Sequence, residues 1–317
     1  LRESPIATPP SMTSTTTRIH TPDPSACDHA HPSHGAGPTE KPVRGFEAAS
    51  LGIAGAEPDD QVAVDLQGVV ALHQVGERRL VLVALFAVDL EVDAISKELK
   101  DDDRVLDVGC ANAHATLRQC RTHRLKSMVG IDFSPAMIAA AKSAHALSGL
   151  QGSLEFREGD VRSLPFESAT FDVVYTTRVL INLPTWKSQL EGIEECLRVV
   201  RPGGKVILSE AFWEPLCLLN ALRALCGLSP LVEHDFNRYL KKERLEAWLR
   251  ARNLPFVVDE FSSVYYLGSR FLRDLVTVPD QYPGYSNPIN GRFFDLEKEF
   301  SGGGMGVQQA YVIKRPA

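Results

Sequence analysis

The chain has 317 residues, 44% of them hydrophobic, and a formal net charge of −6. That length can bury one sizeable domain with extensions, and the acidic balance argues against a broad nucleic-acid face, which needs clustered Lys and Arg. No apolar run approaches the roughly 20 residues that span a bilayer; the best candidate, Leu80 to Val88, is short and is closed by Asp89.

Residues 1–60 are rich in Ser, Thr, Pro, His, Ala and Gly, have few large apolar side chains, and read as a disordered low-complexity tail. The chain opens with Leu1, so the start is read either as a fragment or as preceding a true beginning at Met12. No basic stretch followed by an apolar one is present, and a secretory leader is not expected. Cys27, His29, His31 and His34 have the chemistry of zinc ligands, but without a scaffold to fix their geometry no metal site is expected. Residues 61–95, including VAVDLQGVVALHQV and RRLVLVALFAVDLEVDA, are rich in Val and Leu with partial alternation. They read as strand or buried helix and receive no assigned role. The cysteines, Cys27, Cys110, Cys120, Cys196, Cys217 and Cys226, form no C-x-x-C pair, which fits buried thiols in a reducing, cytoplasmic setting.

From Asp93 onward the pattern is regular. Val105 to Leu117, VLDVGCANAHATL, is a short apolar run that ends in a carboxylate and passes through small residues into a helix. This is how a buried strand hands over to a nucleotide-binding loop, with free N–H groups at the helix start. Ser127 to Asp132 is a second strand ending in a carboxylate, about 20 residues on, where an acidic side chain can accept from ribose hydroxyls. Ser134-Pro135 opens a helix that Gly149 stops. Leu154 to Asp160, Phe171 to Thr176 and Lys205 to Glu210 read as further strands, and Thr185 caps a helix with an apolar stripe at Leu190, Ile193 and Leu197. An insertion at about 211–240 contains an apolar helix, PLCLLNALRALCGL. Phe256 to Leu267 and Gln308 to Lys314 would be the last two strands, and the late segment YYLGSRFLRDLVTVPDQYPGYSNPING, with Tyr265, Tyr266, Arg270, Tyr282, Tyr285 and Asn287, reads as a long loop suited to a lid. Helices alternating with short strands imply a parallel, doubly wound sheet.

The elements DVGCANA, GIDFSPAMIAAA, GDVRSLPF, FDVVYTTRVLINLP and LRVVRPGGKVILSE, in that order, resemble those of a class I S-adenosylmethionine-dependent methyltransferase of the small-molecule type. The resemblance covers residues 96–317, and it implies an α/β fold: a Rossmann-like, doubly wound, seven-stranded sheet with an antiparallel last strand. It also implies S-adenosyl-L-methionine as cofactor and a small-molecule methyl acceptor, with no nucleic-acid or membrane partner and the oligomeric state left open. On this resemblance Asp107, Gly109 and Ala111 shape the loop around the methionine end of the cofactor. Asp132 binds the ribose, Phe133 lies against the adenine, Asp160 and Val161 meet its edge, and Thr177 leaves the fourth strand at the cofactor. Arg178, Glu210 and His234 are the catalytic candidates: Arg178 and Glu210 end strands at the carboxyl edge, and His234 carries an imidazole, the side chain most used as a general base. His114 could touch the cofactor, although an exposed helix position is the simpler reading.

One departure stands out. The family usually writes the loop G-C-G-x-G, whereas this chain has Gly109-Cys-Ala-Asn-Ala113, and an alanine forced to positive φ costs roughly 1 kcal/mol. A non-catalytic binding or scaffold protein on the same fold is therefore the second reading. A nicotinamide-dependent dehydrogenase would need G-x-G-x-x-G, which Gly109 to His114 does not provide.

Overall fold

The computed structural model describes residues 86–278, 284 and 287–317, together with the backbone of four short strands nearer the N-terminus. Apart from Phe46–Glu47, the readings of residues 1–60, of the Cys27 and His29 cluster, and of Tyr282 and Tyr285 lie outside the described residues. The strands β1 (Phe46–Glu47), β2 (Gln61–Val64), β3 (Val70–Gln74) and β4 (Glu77–Val81) pair antiparallel in sequence order. The stretch read as strand or buried helix thus contains both, since α1 (Phe86–Ser96) follows.

A second sheet of seven strands carries the rest, in the order β10-β11-β9-β8-β5-β6-β7. Five strands are mutually parallel: β5 (Arg104–Val108), β6 (Ser127–Asp132), β7 (Leu154–Glu158), β8 (Phe171–Thr177) and β9 (Val200–Ala211). β11 (Gln308–Lys314) runs antiparallel to both of its neighbours, β9 and β10 (Phe256–Asp259). The expected doubly wound sheet with its antiparallel last strand is what the chain forms. β5 is flanked by β6 on one side and β8 on the other, so the winding reverses there. A ligand of such a sheet binds beyond the carboxyl ends of the strands at that reversal.

The side chains sort by the two-residue period of a strand. Leu106, Val174, Val206 and Leu208 point to one face and meet Ile193 and Cys196 of α4 (Trp186–Val199) and Leu245 and Leu249 of α6 (Lys242–Ala251). Val105, Val173, Tyr175 and Ile207, each one residue removed, point to the other and meet Leu90, Ala94 and Ile95 of α1. A sheet covered on both faces needs apolar residues at consecutive positions, which explains the continuous runs in these strands. α1 belongs to this body although it precedes residue 96. Its Asp93 pairs with Arg118 of α2 (His114–Thr122) at 2.7 Å, and Gln119 donates to the carbonyl of Val92 at 2.9 Å.

Local signals place the helix ends. Ser134 accepts from the N–H of Met137 at the start of α3 (Pro135–Ser148), and Gly149 ends it in the left-handed conformation that glycine adopts without a Cβ penalty. Thr185 and Ser188 form a reciprocal capping box on α4.

Two expectations change in the C-terminal third. Phe256 to Leu267 is not one strand: β10 stops at Asp259, and α7 (Ser263–Leu267) begins after a turn. The cause is tertiary, because the buried carboxylate of Glu297 on α9 (Ile289–Glu299) accepts from the N–H of Tyr265 at 2.8 Å and so supplies the cap that Ser262 does not. The expected lid loop is helical over much of its described length, continuing through a wider turn at Gly268–Leu272 into α8 (Arg273–Val276). Tyr265 and Asn287 are buried in it rather than displayed. Among the described residues no helix is long and apolar enough to cross a membrane.

At the amino edge, opposite the ligand edge, Asp172 fastens three strands. It accepts from the backbone N–H of Arg104 at 2.8 Å and from Arg104 Nε at 2.9 Å, and it pairs with Arg201. These bonds outweigh its partial burial and hold the carboxyl well below the ordinary range. A depressed carboxylate pKa gives stability that is complete above the unfolded value of about 4 and is lost as pH falls toward the folded one. Asp172→Asn is expected to lower unfolding free energy by about 1–3 kcal/mol at pH 7. In denaturant titrations the gap to wild type should narrow steadily below about pH 4.

Candidate active site

The loop leaving β5 takes the glycine-type path with only one glycine. Gly109, Ala111 and Ala113 have φ of +81°, +45° and +68°. The path is fixed by backbone bonds: the N–H groups of Gly109 and Cys110 both donate to the carbonyl of Ile131, at 2.7 and 2.9 Å, and Ala113 N donates to Cys110 O at 2.8 Å. Ala113 is fully buried and precedes α2 without a side-chain cap. Each alanine thus carries the left-handed strain, about 1–2 kcal/mol. Beneath the loop, buried Asp107 accepts from Thr116 Oγ1 at 2.6 Å and so ties the end of β5 to the first turn of α2. Burial pushes its pKa up to about 7 against the opposing hydrogen bonds from Thr116 and Tyr175.

Asp132 ends β6 with one oxygen on each neighbouring turn: Oδ2 accepts from Ala111 N at 3.0 Å and Oδ1 from Ser134 N at 2.8 Å. A carboxylate has about four acceptor positions, so it can also take two hydroxyl protons. Phe133 beside it is 77% exposed. Val161 is buried. Asp160 is engaged by Arg162, with Nη2 at 2.5 Å, and this bond lowers its pKa.

At the exit of β8, Arg178 stands at φ +53°, its N–H on Ser209 O at 2.8 Å. Its Nε lies 3.4 Å from Glu91 Oε2, and Glu91 Oε1 accepts from Ser209 Oγ at 2.7 Å. Glu91 is wholly buried on α1; burial raises its pKa and Arg178 opposes the rise. Sequence reasoning missed this residue. Glu91 alternates with Asp89 and Asp93 on α1, and only its burial sets it apart from them. Thr177 Oγ1 is buried and has no hydrogen-bond partner in the described residues.

Glu210 does not open toward the crevice as expected. It is fully buried and accepts from Thr176 Oγ1 at 2.7 Å and from the N–H groups of Val179 and Leu180 at 3.1 Å and Ile181 at 3.3 Å. It is the cap of the one-turn 3₁₀ helix Leu180–Asn182, and burial pushes its pKa up to about 7 despite those donors. Arg178 and Glu210 lie at neighbouring strand exits, the Arg178 N–H bonded to the carbonyl of Ser209. His234 is exposed, its ring stacked on Phe236 with centroids 5.5 Å apart, and among the described residues no hydrogen bond joins it to Arg178 or Glu210. His114 is not the exposed helix residue expected: its Nε2 is buried without a partner. Cys110 and Cys196 are buried with thiol pKa values raised by burial, whereas Cys217 and Cys226 are exposed, against the expectation of buried thiols. Among the described residues no cluster of His, Cys, Asp or Glu could hold a metal ion.

Sheet order and strand-exit loops define a Rossmann-like α/β domain. Residues 105–204 match a family model described as a methyltransferase domain. A ubiquinone biosynthesis O-methyltransferase from Pseudomonas fluorescens (strain SBW25) is 32% identical over 155 residues, covering 48% of this chain and 64% of that protein. The enzyme of the same name from Azotobacter vinelandii gives the same figures. The chain therefore matches just under two thirds of the length of these relatives. A Haloferax volcanii methyltransferase in complex with its Trm112 activator has a TM-score of 0.48 at 16% identity, covering 72% of this chain and 90% of that one.

Returning Ala111 and Ala113 to glycine removes two Cβ groups from left-handed positions but adds freedom to the unfolded chain. The net expectation is a gain of up to about 1 kcal/mol for each single variant in denaturant unfolding. Glu210 and Asp107 give the opposite pH sense to Asp172. A carboxyl raised in the folded state contributes stability below its unfolded value of about 4, and that stability is lost as pH rises through about 7. The melting temperature should fall between pH 5 and pH 8, and Glu210→Gln should flatten that slope.

Proposed function

We propose that the chain is an S-adenosylmethionine-dependent methyltransferase acting on a small-molecule acceptor, with oxygen as the favoured acceptor atom. The observation that carries this reading is the left-handed loop at Gly109, Ala111 and Ala113, joined through Ala111 N to Asp132. The shared names of the relatives support oxygen as the atom methylated.

The cofactor supplies an electrophilic sulfonium methyl group, and the protein's work is positioning. Asp132 would hold the ribose hydroxyls on its two remaining acceptor positions, Phe133 would cover the adenine, and Asp160 and Val161 would meet its edge. Asp107 would keep the loop shaped through Thr116 while Gly109 and Ala111 border the methionine end. Thr177 Oγ1, buried and unpartnered, is an acceptor or donor awaiting such a ligand. Arg178, held by Glu91 at the β8 exit, would orient a polar or anionic acceptor. Proton removal, where the acceptor requires it, would fall to the exposed imidazole of His234.

A second reading follows from the two alanines, whose Cβ groups occupy a loop that family members line with glycine: a binding protein that keeps the fold without the reaction. Calorimetric titration with S-adenosylmethionine and S-adenosylhomocysteine separates the two. Micromolar binding is expected, reduced at least tenfold in Asp132→Ala. Absence of binding by folded wild-type protein would reject the methyltransferase reading in favour of the second, and unchanged affinity in Asp132→Ala would reject the ribose assignment.

A further inference from the structure

A cavity of about 300 Å³ opens beside the exits of β8 and β9, between the first turn of α4 and the insertion that follows β9. Its frame is set by main-chain bonds. Gln189 is buried and its Nε2 donates to Leu180 O at 3.1 Å and to Arg238 O at 2.7 Å, while Arg238 N donates to Ile181 O at 2.6 Å. On the opposite wall Trp213, the first residue of α5 (Trp213–Leu225), donates its N–H to Leu240 O at 2.9 Å. The insertion is thereby stitched to the same 3₁₀ turn that Glu210 caps.

Two properties of the lining point to a ligand. Trp186, Trp213 and Tyr239 present aromatic surface to it, and Trp213 remains 39% exposed. Arg238, Lys241 and Arg244 surround that surface. Among the described residues none of the three is ion-paired with a carboxylate, although most other arginines of the body are. Glu233, the one acidic residue of the lining, accepts from Tyr239 N, so three cations share the lining with a single carboxylate, while Glu214 accepts from Lys242 N at 3.0 Å to cap α6. In a chain of net charge −6 this leaves a local excess of positive charge against flat apolar walls.

We propose that this cavity binds a small anionic ligand with a flat unsaturated body, an aromatic carboxylate or phosphate. The rings of Trp186 and Trp213 take the body by stacking, and Arg238, Lys241 and Arg244 take the anionic end, where an arginine fork suits either group. Binding stands on the cavity alone; that the ligand is the methyl acceptor rests on the methyltransferase reading above.

The test uses the full chain and three probes, benzoate, phenyl phosphate and uncharged benzyl alcohol, followed by tryptophan fluorescence and calorimetry. At least one anion should quench the fluorescence at submillimolar concentration, with benzyl alcohol binding more weakly; which anion binds tighter distinguishes carboxylate from phosphate. Lys241→Ala combined with Arg244→Ala should weaken the anions about tenfold and leave benzyl alcohol unchanged, and Lys241→Arg with Arg244→Lys should restore most of the affinity. No anion binding by folded wild type, equal binding by the double alanine variant, or inorganic phosphate binding as tightly as phenyl phosphate would overturn the proposal. Titrating the same samples with S-adenosylmethionine keeps the two readings apart: anion binding without cofactor binding leaves the cavity assigned and the methyltransferase reading rejected.

Discussion

Carboxylates buried or half-buried against backbone N–H groups hold this domain's turns in place. Asp132 takes Ala111 and Ser134, Glu210 takes Val179, Leu180 and Ile181, and Glu297 takes Tyr265. Farther out, Glu214 takes Lys242, and Glu260 takes Gly303 and Gly304 at the glycine run before β11. Each turn or short helix start leaves N–H groups with no partner in its own segment, and here the partner comes from an element distant in sequence. The acidic balance of the chain is thus partly structural, and the desolvation it entails is seen in the raised pKa values of Asp107, Glu91 and Glu210.

The same bonds show what was legible in the sequence and what was not. Strands β5, β6, β8 and β9 could be read because burial on both faces writes an uninterrupted apolar run, and α3 and α4 because Ser134, Gly149 and Thr185 are local end signals. Asp132 could be placed because a strand-end carboxylate has a fixed relation to the preceding loop. Glu210 looked identical by that criterion, and only the tertiary partners at residues 179–181 show that its oxygens are already committed. α7 failed for the matching reason: its cap, Glu297, lies beyond it in the chain by more than thirty residues, outside any local window. Glu91 was hidden because α1 sits in a stretch whose upstream neighbour is strand, so its helical period was cut short.

The cavity beside Trp213 was legible only in parts. The aromatic and basic residues of the insertion were visible as a composition, but Trp186 and Gln189 come from the other side of β9. Their convergence depends on the bond from Arg238 N to Ile181 O. His234, singled out as a general base, stands in the same insertion yet is exposed with its ring on Phe236. Side-chain chemistry alone does not place a residue; the frame of the insertion does.

The distribution of glycine in the β5 loop follows from space rather than from φ. All three left-handed positions would accept glycine, yet only Gly109 has it. A Cβ on Gly109 would lie 2.0 Å from Val179 Cγ2, an overlap that only a shift of the Val179 side chain or of the β8 exit would relieve. Val179 is itself fixed, since its N–H is bonded to Glu210. At Ala111 and Ala113 the penalty is the backbone strain alone, of the order of 1–2 kcal/mol each, and the bonds to Asp132 and Cys110 help to hold the backbone in place. Strain of that size is affordable, whereas a clash between two pinned segments is not. The contact of Gly109 with Val179 therefore couples the loop that would hold the cofactor to the turn that carries Arg178, and through Ile181 to the frame of the cavity, so that the two halves of the site are positioned by one packing constraint.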